Sequence, residues 1–181
     1  ADVATAKGRA TLLAAVEAFG FDGVDILVNN VGTNRRKASE EYTEAEYDMM
    51  QATNQGSAFH LSCACLPLLR RRKGCIINIS SVSGSTVDNT GVVYHMNKAA
   101  LEHMTRYFAC EWGPIGIRVN AVAPWFIRTP LTEPLLADPK FHAAVQRATP
   151  LRRVGYVTGQ VLGVDGALTA EGFRYSADDE Q

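Results

Sequence analysis

The sequence predicts an α/β fold with a doubly wound, parallel, Rossmann-like sheet. Short apolar runs alternate with much longer segments of helical periodicity, which is the pattern of consecutive βα units. Polar clusters directly follow three of the apolar runs. Because the carboxyl ends of parallel strands meet at one edge of a sheet, we expect a ligand site at that edge.

Helical periodicity predicts four helices between the apolar runs. Their ranges are residues 4–19, 43–72, 92–112 and 132–148. The first helix is amphipathic, and its apolar positions are Ala10, Leu12, Leu13, Val16 and Phe19. A capping box of Thr43 and Glu46 opens the second helix, which we expect to bend near Pro67. Pro134 and Pro139 interrupt the fourth helix.

The apolar runs predict four strands, at residues 25–30, 75–79, 117–122 and 160–164. Continuous apolar runs of this kind are typical of parallel strands that are buried on both faces. The polar clusters after the first three strands are residues 29–32, 80–83 and 124–129. We expect these clusters to lie together on one rim of the sheet.

Composition narrows the class of protein. The chain has 181 residues, of which 46% are hydrophobic and 20% charged, and these proportions exclude a disordered chain. We expect one domain over residues 1–181. The net charge of −1 argues against nucleic acid as a partner, and no apolar run approaches the ~20 residues of a membrane span. Four cysteines without the spacing of metal ligands, and no secretory leader, indicate a cytoplasmic protein with reduced thiols.

One group of residues indicates acid–base chemistry. Tyr94 and Lys98 are four residues apart on a predicted helix, so both side chains lie on one face. A nearby ammonium group favours the phenolate and lowers the pKa of a tyrosine. Ser81 in the preceding loop can hydrogen-bond an oxygen that Tyr94 also reaches, and Asn54 can hold a water beside Lys98. The spacing of Tyr94 and Lys98 often arises by chance, and its combination with Ser81 and Asn54 is what favours a site.

These residues resemble the motifs of the short-chain dehydrogenase/reductase family. The family's Tyr-x-x-x-Lys pair matches Tyr94 and Lys98. Its catalytic serine matches Ser81, and its catalytic asparagine matches Asn54. Its Asn-Asn-Ala-Gly motif matches residues 29–32.

The likeness extends over nearly the whole chain. Residues 120–130 read Asn-Ala-Val-Ala-Pro-Trp-Phe-Ile-Arg-Thr-Pro and resemble the plant tropinone-reductase-like branch of the family. Three positions depart from the family pattern. Val31 takes the place of alanine, Trp125 takes the place of glycine after Pro124, and Ala167 takes the place of the second glycine after Asp165.

The resemblance implies hydride transfer from a nicotinamide cofactor to a small-molecule ketone, with NADP(H) favoured over NAD(H). It implies that Tyr94 is the general acid in reduction and that Ser81 polarises the carbonyl. Lys98 would lower the pKa of Tyr94 and hold the nicotinamide ribose, and Asn54 would support a water in the proton relay. The residues that match cofactor-binding positions are Asp2, Val3, Asn29, Val31, Gly32, Tyr94, Lys98, Ile127 and Thr129. The expected substrate contacts are Ser81 and Tyr94.

Two parts of the family pattern are missing. The Gly-rich turn that binds pyrophosphate has no counterpart, because no G-x-G-x-x-G occurs in the sequence. A helix before the last strand is also missing near Gly155. We therefore expect a fold truncated in its N-terminal half, with the first strand as an exposed apolar edge. If the missing segments are present, the resemblance implies a homo-oligomer.

Two other interpretations stay open. The chain can be a catalytically silent fragment that acts by associating with partner subunits, because the phosphate-binding unit is missing. A serine hydrolase is less favoured, since no G-x-S-x-G occurs. The histidines that such an enzyme would need show no partner pattern, and they are His60, His95, His103 and His142.

Overall fold

A computed structural model describes residues 1–152 as a three-stranded parallel sheet with packed helices. The strands lie in the order β1-β2-β3, and they are β1 (Ile26–Asn29), β2 (Cys75–Ile79) and β3 (Arg118–Val122). The α-helices are α1 (Ala6–Ala18), α2 (Glu44–Gln51), α3 (Ser57–Arg72), α4 (Val92–Trp112), α5 (Glu133–Leu136) and α6 (Pro139–Ala148). The predicted α/β class with a Rossmann-like parallel sheet is confirmed.

The main core lies between one face of the sheet and the helices α3 and α4. The register places Leu27, Ile76 and Val119 side by side on neighbouring strands, so their side chains lie on the same face of the sheet. Leu69 of α3 and Phe108 of α4 pack into this cluster. The core therefore holds the carboxyl ends of the three strands side by side, which positions the loops that follow them.

The opposite face of the sheet is less covered in the part of the chain that the structure describes. Ile26, Val28 and Val122 are 58%, 52% and 51% exposed. The strand β1 is also an edge strand among the described residues, as the sequence predicts. An apolar sheet face of this kind favours association with another surface.

The second predicted helix is helical throughout, and its irregular turn lies away from Pro67. The chain runs through Pro67 without leaving α3, and a π-helical segment, Ala52–Gly56, joins α2 to α3. There the Asn54 side chain donates to the Met50 carbonyl at 2.8 Å. π-turns inside helices often occur at functional sites, and this one turns Asn54 into the interior.

Two further helices also differ from the prediction. Of the apolar positions predicted for the first helix, Ala10, Leu12 and Phe19 are exposed, and Leu13 and Val16 are half-buried, because α1 packs mainly against α3. The fourth predicted helix is divided into α5 and α6. A proline lies in the first turn of each, where its missing N–H costs no hydrogen bond.

The strand predicted at residues 160–164 and the change near Gly155 lie outside the described residues. Within residues 1–152, no helix has the length and apolar character needed to cross a membrane.

Candidate active site

A cavity of about 260 Å³ lies at the carboxyl ends of the three strands. The loops after β1, β2 and β3 all contribute to its walls, as expected for a parallel sheet. Six of the residues singled out from the sequence line it: Gly32, Ser81, Tyr94, Lys98, Ile127 and Thr129. The structure therefore brings together residues from four separate parts of the chain.

Tyr94 and Lys98 lie in the first two turns of α4, on its inner side. The Lys98 Nζ is 5.4 Å from the centroid of the Tyr94 ring. The same nitrogen donates to the Ile79 carbonyl at 2.7 Å, at the end of β2. Since an ammonium group has three donors, this bond anchors Lys98 and leaves donors for other partners.

The pKa values of the two groups move in opposite directions. Burial lowers the pKa of the Lys98 ammonium from 10.5 to about 8. Burial raises the pKa of the Tyr94 phenol above 10.0 and outweighs the opposing effects of a hydrogen bond with Ser81 and of the Arg36 charge. The expected lowering of the Tyr94 pKa by Lys98 is therefore not the net result. The physical reason is that burial penalises the phenolate more than its neighbours favour it.

Asn54 does not line the cavity but lies directly behind it. Its Oδ1 accepts a hydrogen bond from the Thr33 backbone N–H at 2.9 Å, and its side chain is almost fully buried. A Cβ at Gly32 would lie 3.0 Å from that oxygen and 3.5 Å from Lys98 Nζ. The absence of a side chain at Gly32 therefore keeps Asn54 and Lys98 close to the cavity.

Asn29 connects strands instead of facing the cavity. Its Nδ2 donates to Asn78 Oδ1 at 2.8 Å on the neighbouring strand, and to Ser62 Oγ at 3.0 Å on α3. Asn78 in turn donates to Thr105 Oγ1 on α4 at 2.9 Å. This buried polar network holds the two helices against the ends of β1 and β2.

Three other residues predicted to bind cofactor do not line the cavity. Asp2 and Val3 lie at the start of α1, where the Asp2 carbonyl accepts from the Thr5 N–H and the Val3 carbonyl accepts from Arg9. Val31 is half-exposed outside the cavity wall. These contacts fix the turn that precedes α1, whose N-cap is Thr5.

The structure adds cavity residues that the sequence did not single out. They are Asn34, Arg36, Asp88, Thr90, Leu131 and Thr132. Most lie in loops, where no periodic pattern marks the residues that face inward. Trp125 lies in the predicted rim cluster 124–129 and forms part of the wall, with its Nε1 donating to Thr149 Oγ1 at 3.2 Å.

The parallel sheet and the cavity at the carboxyl ends of its strands define a Rossmann-like α/β protein. The family model described as enoyl-(acyl carrier protein) reductase matches residues 1–160. A tropinone reductase homologue of Arabidopsis thaliana is 45% identical over 176 residues, which cover 86% of this chain and 67% of the relative. The chain belongs to the short-chain dehydrogenase/reductase family.

Other relatives show the same family. Senescence-associated protein 13 of Arabidopsis thaliana is 38% identical over 96% of this chain and 71% of its own length. The structure of Pseudomonas aeruginosa RhlG with NADP matches with a TM-score of 0.79 and 31% identity, over 86% of this chain and 63% of that chain. A 4-hydroxyisoleucine dehydrogenase complexed with NADH matches with a TM-score of 0.80, 27% identity and coverage of 86% and 64%. The chain thus spans less than two thirds of the length of these solved structures.

Proposed function

We propose that this chain is a carbonyl reductase of the tropinone-reductase-like type, which uses NADP(H) to reduce a small-molecule ketone. The observation that carries the proposal is that Ser81, Tyr94 and Lys98 line one cavity at the carboxyl ends of the parallel strands. Apolar side chains, including Phe126 and Ile127, form another part of the wall. The cavity thus offers both polar and apolar contacts to a small ketone.

In this proposal Tyr94 donates its phenolic proton to the carbonyl oxygen. Burial raises the pKa of the phenol, so the proton is in place at neutral pH before the substrate binds. The Ser81 Oγ accepts a hydrogen bond from the Ser83 backbone N–H at 3.2 Å, which fixes its position. The Ser81 hydroxyl then donates to the same carbonyl oxygen and stabilises the negative charge that develops on it.

Lys98 and Asn54 complete the proposed proton path. The Lys98 ammonium beside Tyr94 favours the phenolate that remains after proton transfer. Asn54 is held by bonds to Thr33 and Met50, in a position to support a water between itself and Lys98. The proton lost by Tyr94 would be replaced along this path.

The cavity also fits the reacting end of a nicotinamide cofactor. Lys98 has donors left for ribose hydroxyls, Thr129 offers a hydroxyl beside Ile127, and Gly32 allows close approach. When bound, the cofactor supplies hydride to the carbonyl carbon. The choice of NADP(H) is supported by the likeness to Pseudomonas aeruginosa RhlG with NADP, while the matching 4-hydroxyisoleucine dehydrogenase is complexed with NADH. A cytoplasmic location and a homo-oligomeric state stay predictions from the sequence.

The test is Tyr94→Phe, which removes the transferable proton and keeps the ring. We expect the rate of NADPH oxidation with a responsive ketone to fall by at least about a hundredfold, while NADPH binding stays unchanged. The matched control is Tyr107→Phe on the same helix, because Tyr107 is 63% exposed and lies outside the cavity. Equal turnover in Tyr94→Phe and the wild-type protein would overturn the proposed mechanism.

The exposed sheet face favours one other candidate, a silent subunit that works through a partner. An NADPH titration of the wild-type chain, followed by fluorescence, separates the two candidates. Saturable micromolar binding supports the reductase. A folded protein that binds no NADPH supports the silent subunit.

A further inference from the structure

The face of α4 that carries Tyr94 and Lys98 continues with Glu102. These residues follow one another at intervals of four, so their side chains lie along one side of the helix. The Glu102 Oε1 accepts a hydrogen bond from the Ser80 Oγ at 3.0 Å. Ser80 directly precedes Ser81, so Glu102 contacts the chain one residue away from the hydroxyl proposed to bind the carbonyl.

Two side chains of α4 hold consecutive residues at the end of β2. Lys98 Nζ donates to the Ile79 carbonyl at 2.7 Å, and Glu102 accepts from the Ser80 hydroxyl. Ser80 is buried, and its backbone N–H donates to the Val122 carbonyl on β3 at 2.7 Å. Ser80 is therefore fixed from two directions, by the sheet through its backbone and by α4 through its side chain.

The Glu102 carboxylate is the stronger of two acceptors near the Ser80 hydroxyl. The Ser80 Oγ also lies 3.3 Å from the Lys98 carbonyl, which is neutral and more distant. A hydroxyl has one proton to donate, and a charged acceptor at the shorter distance holds it more strongly. Glu102 takes part in none of the salt bridges among residues 1–152, so no basic side chain described there competes for this carboxylate.

The loop that carries Ser81 lies directly against Glu102. The Ser81 backbone is extended, and its Oγ accepts from the Ser83 N–H in the short turn that follows. At the end of this turn, a Cβ on Gly84 would lie 2.5 Å from Glu102 Oε1 and 3.0 Å from the α4 backbone. The absence of a side chain at Gly84 lets the turn approach α4 this closely. The carboxylate therefore contacts the chain on both sides of Ser81, at Ser80 and at Gly84.

We propose that Glu102 is a positioning residue, whose carboxylate sets where the Ser81 hydroxyl lies relative to Tyr94. This inference rests on the proposed function for the roles of Ser81 and Tyr94 at the carbonyl oxygen. Both hydroxyls must reach the same atom, and a displacement of about 1 Å can cost up to about a hundredfold in rate. Tyr94 belongs to α4, whereas Ser81 belongs to the edge of the sheet. The bond between Glu102 and Ser80 joins these two parts and fixes the separation of the hydroxyls.

The test compares Glu102→Ala, which removes the acceptor, with Glu102→Gln, whose amide oxygen can still accept from Ser80. We expect Glu102→Ala to lower kcat for ketone reduction by NADPH about tenfold with little change in KM, and Glu102→Gln to stay within about threefold of the wild-type kcat. Glu111→Ala is the matched control, since Glu111 is an exposed residue of the same helix, and it should keep the wild-type kcat. Equal losses of kcat in Glu102→Ala and Glu102→Gln would overturn the inference.

Ser80→Ala removes the donor of the same bond and serves as the second variant if Glu102→Ala does not fold. It should lower kcat by a similar factor, and the two changes together should cost no more than either alone. In a Ser81→Ala background, Glu102→Ala should cause no further loss, because the hydroxyl that it positions is gone. Additive losses in either pair would show that Glu102 acts elsewhere, and the inference would fall.

Hydrogen exchange provides a readout that does not depend on turnover. The backbone N–H groups of Ser83 and Gly84 both donate to Ser81, so their exchange reports how firmly that residue is held. We expect the segment 80–86 to exchange at least about fivefold faster in Glu102→Ala and at the wild-type rate in Glu111→Ala. Unchanged exchange in Glu102→Ala would contradict the proposal. If the wild-type chain oxidises no NADPH but exchange is faster in Glu102→Ala, the proposed function fails and the placement of Ser81 by Glu102 stands.

Discussion

At the residue scale, burial acts in opposite ways on the two groups beside the cavity. It lowers the pKa of Lys98 to about 8 and raises that of Tyr94 above 10.0. Both groups are thus protonated at neutral pH, which suits proton donation in the direction of reduction. Oxidation, the opposite direction, would need the Tyr94 phenolate, and burial disfavours that charged form.

The Lys98 pKa predicts how stability depends on pH. The unfolded chain holds the proton up to its ordinary pKa of 10.5, whereas the folded chain loses it above about 8. The unfolded state binds more protons between these values, so the free energy of unfolding should rise from pH 8 towards 10, by on the order of 2 kcal/mol. Urea unfolding at several pH values measures the rise.

Lys98→Met should remove this rise. Lys7→Met, which removes an exposed lysine of α1, is the matched control and should keep it. The Tyr94 pKa is raised, so its effect has the opposite sign and begins only near pH 10. A wild-type slope that is unchanged in Lys98→Met below pH 10 would contradict the assignment.

Some of these residues could be predicted from the sequence, and others could not. The spacing of Tyr94 and Lys98 is a property of one helix, so it places both side chains correctly without any tertiary information. The net direction of the Tyr94 pKa depends on burial, which the spacing does not contain. Asn34 and Asp88 lie in two loops that are far apart in the sequence, and each is hydrogen-bonded to the Thr90 backbone.

At the element scale, the periodicity predicts the described strands and α4 to within a residue or two at each end. Periodicity does not predict the π-helical segment. A π-turn adds one residue to a helical turn, and the residue types around it stay the same as in an ordinary helix. Pro67 is the stronger sequence signal for a break, yet α3 continues through it. Local propensity is overridden there by packing against the sheet.

The two glycines that border α4 predict opposite effects of the same substitution. Gly91 has a φ of 106°, and a Cβ there would meet the Tyr42 hydroxyl, so Gly91→Ala should lower the free energy of unfolding by about 1–3 kcal/mol. Gly113 has helical angles and open space around it, so Gly113→Ala should raise that free energy by about 0.4–1 kcal/mol. Urea unfolding of the two variants provides the measurement, and a shift of the same sign in both would contradict the argument.

At the scale of the whole molecule, the sequence predicts the parallel sheet, the rim that carries the cavity and the exposed strand β1. These features depend only on the order of βα units and on the handed connections between them. The cavity walls depend further on how the loops after the strands fold over the rim. Trp125 illustrates this, because its place in the wall is fixed by Thr149, which lies far along the chain.

The sheet face that residues 1–152 leave partly exposed predicts how the chain behaves in solution. Val28 is half-exposed on the edge strand beside Ile26, and this apolar surface should cause self-association that increases with concentration. Val28→Lys places a charge on the strand and should reduce the light scattering of a concentrated sample severalfold. Val87→Lys makes the same change at a loop residue that is 93% exposed, so its scattering should stay near that of the wild-type chain. Equal scattering by the two variants would show that association depends on net charge and not on this face of the sheet.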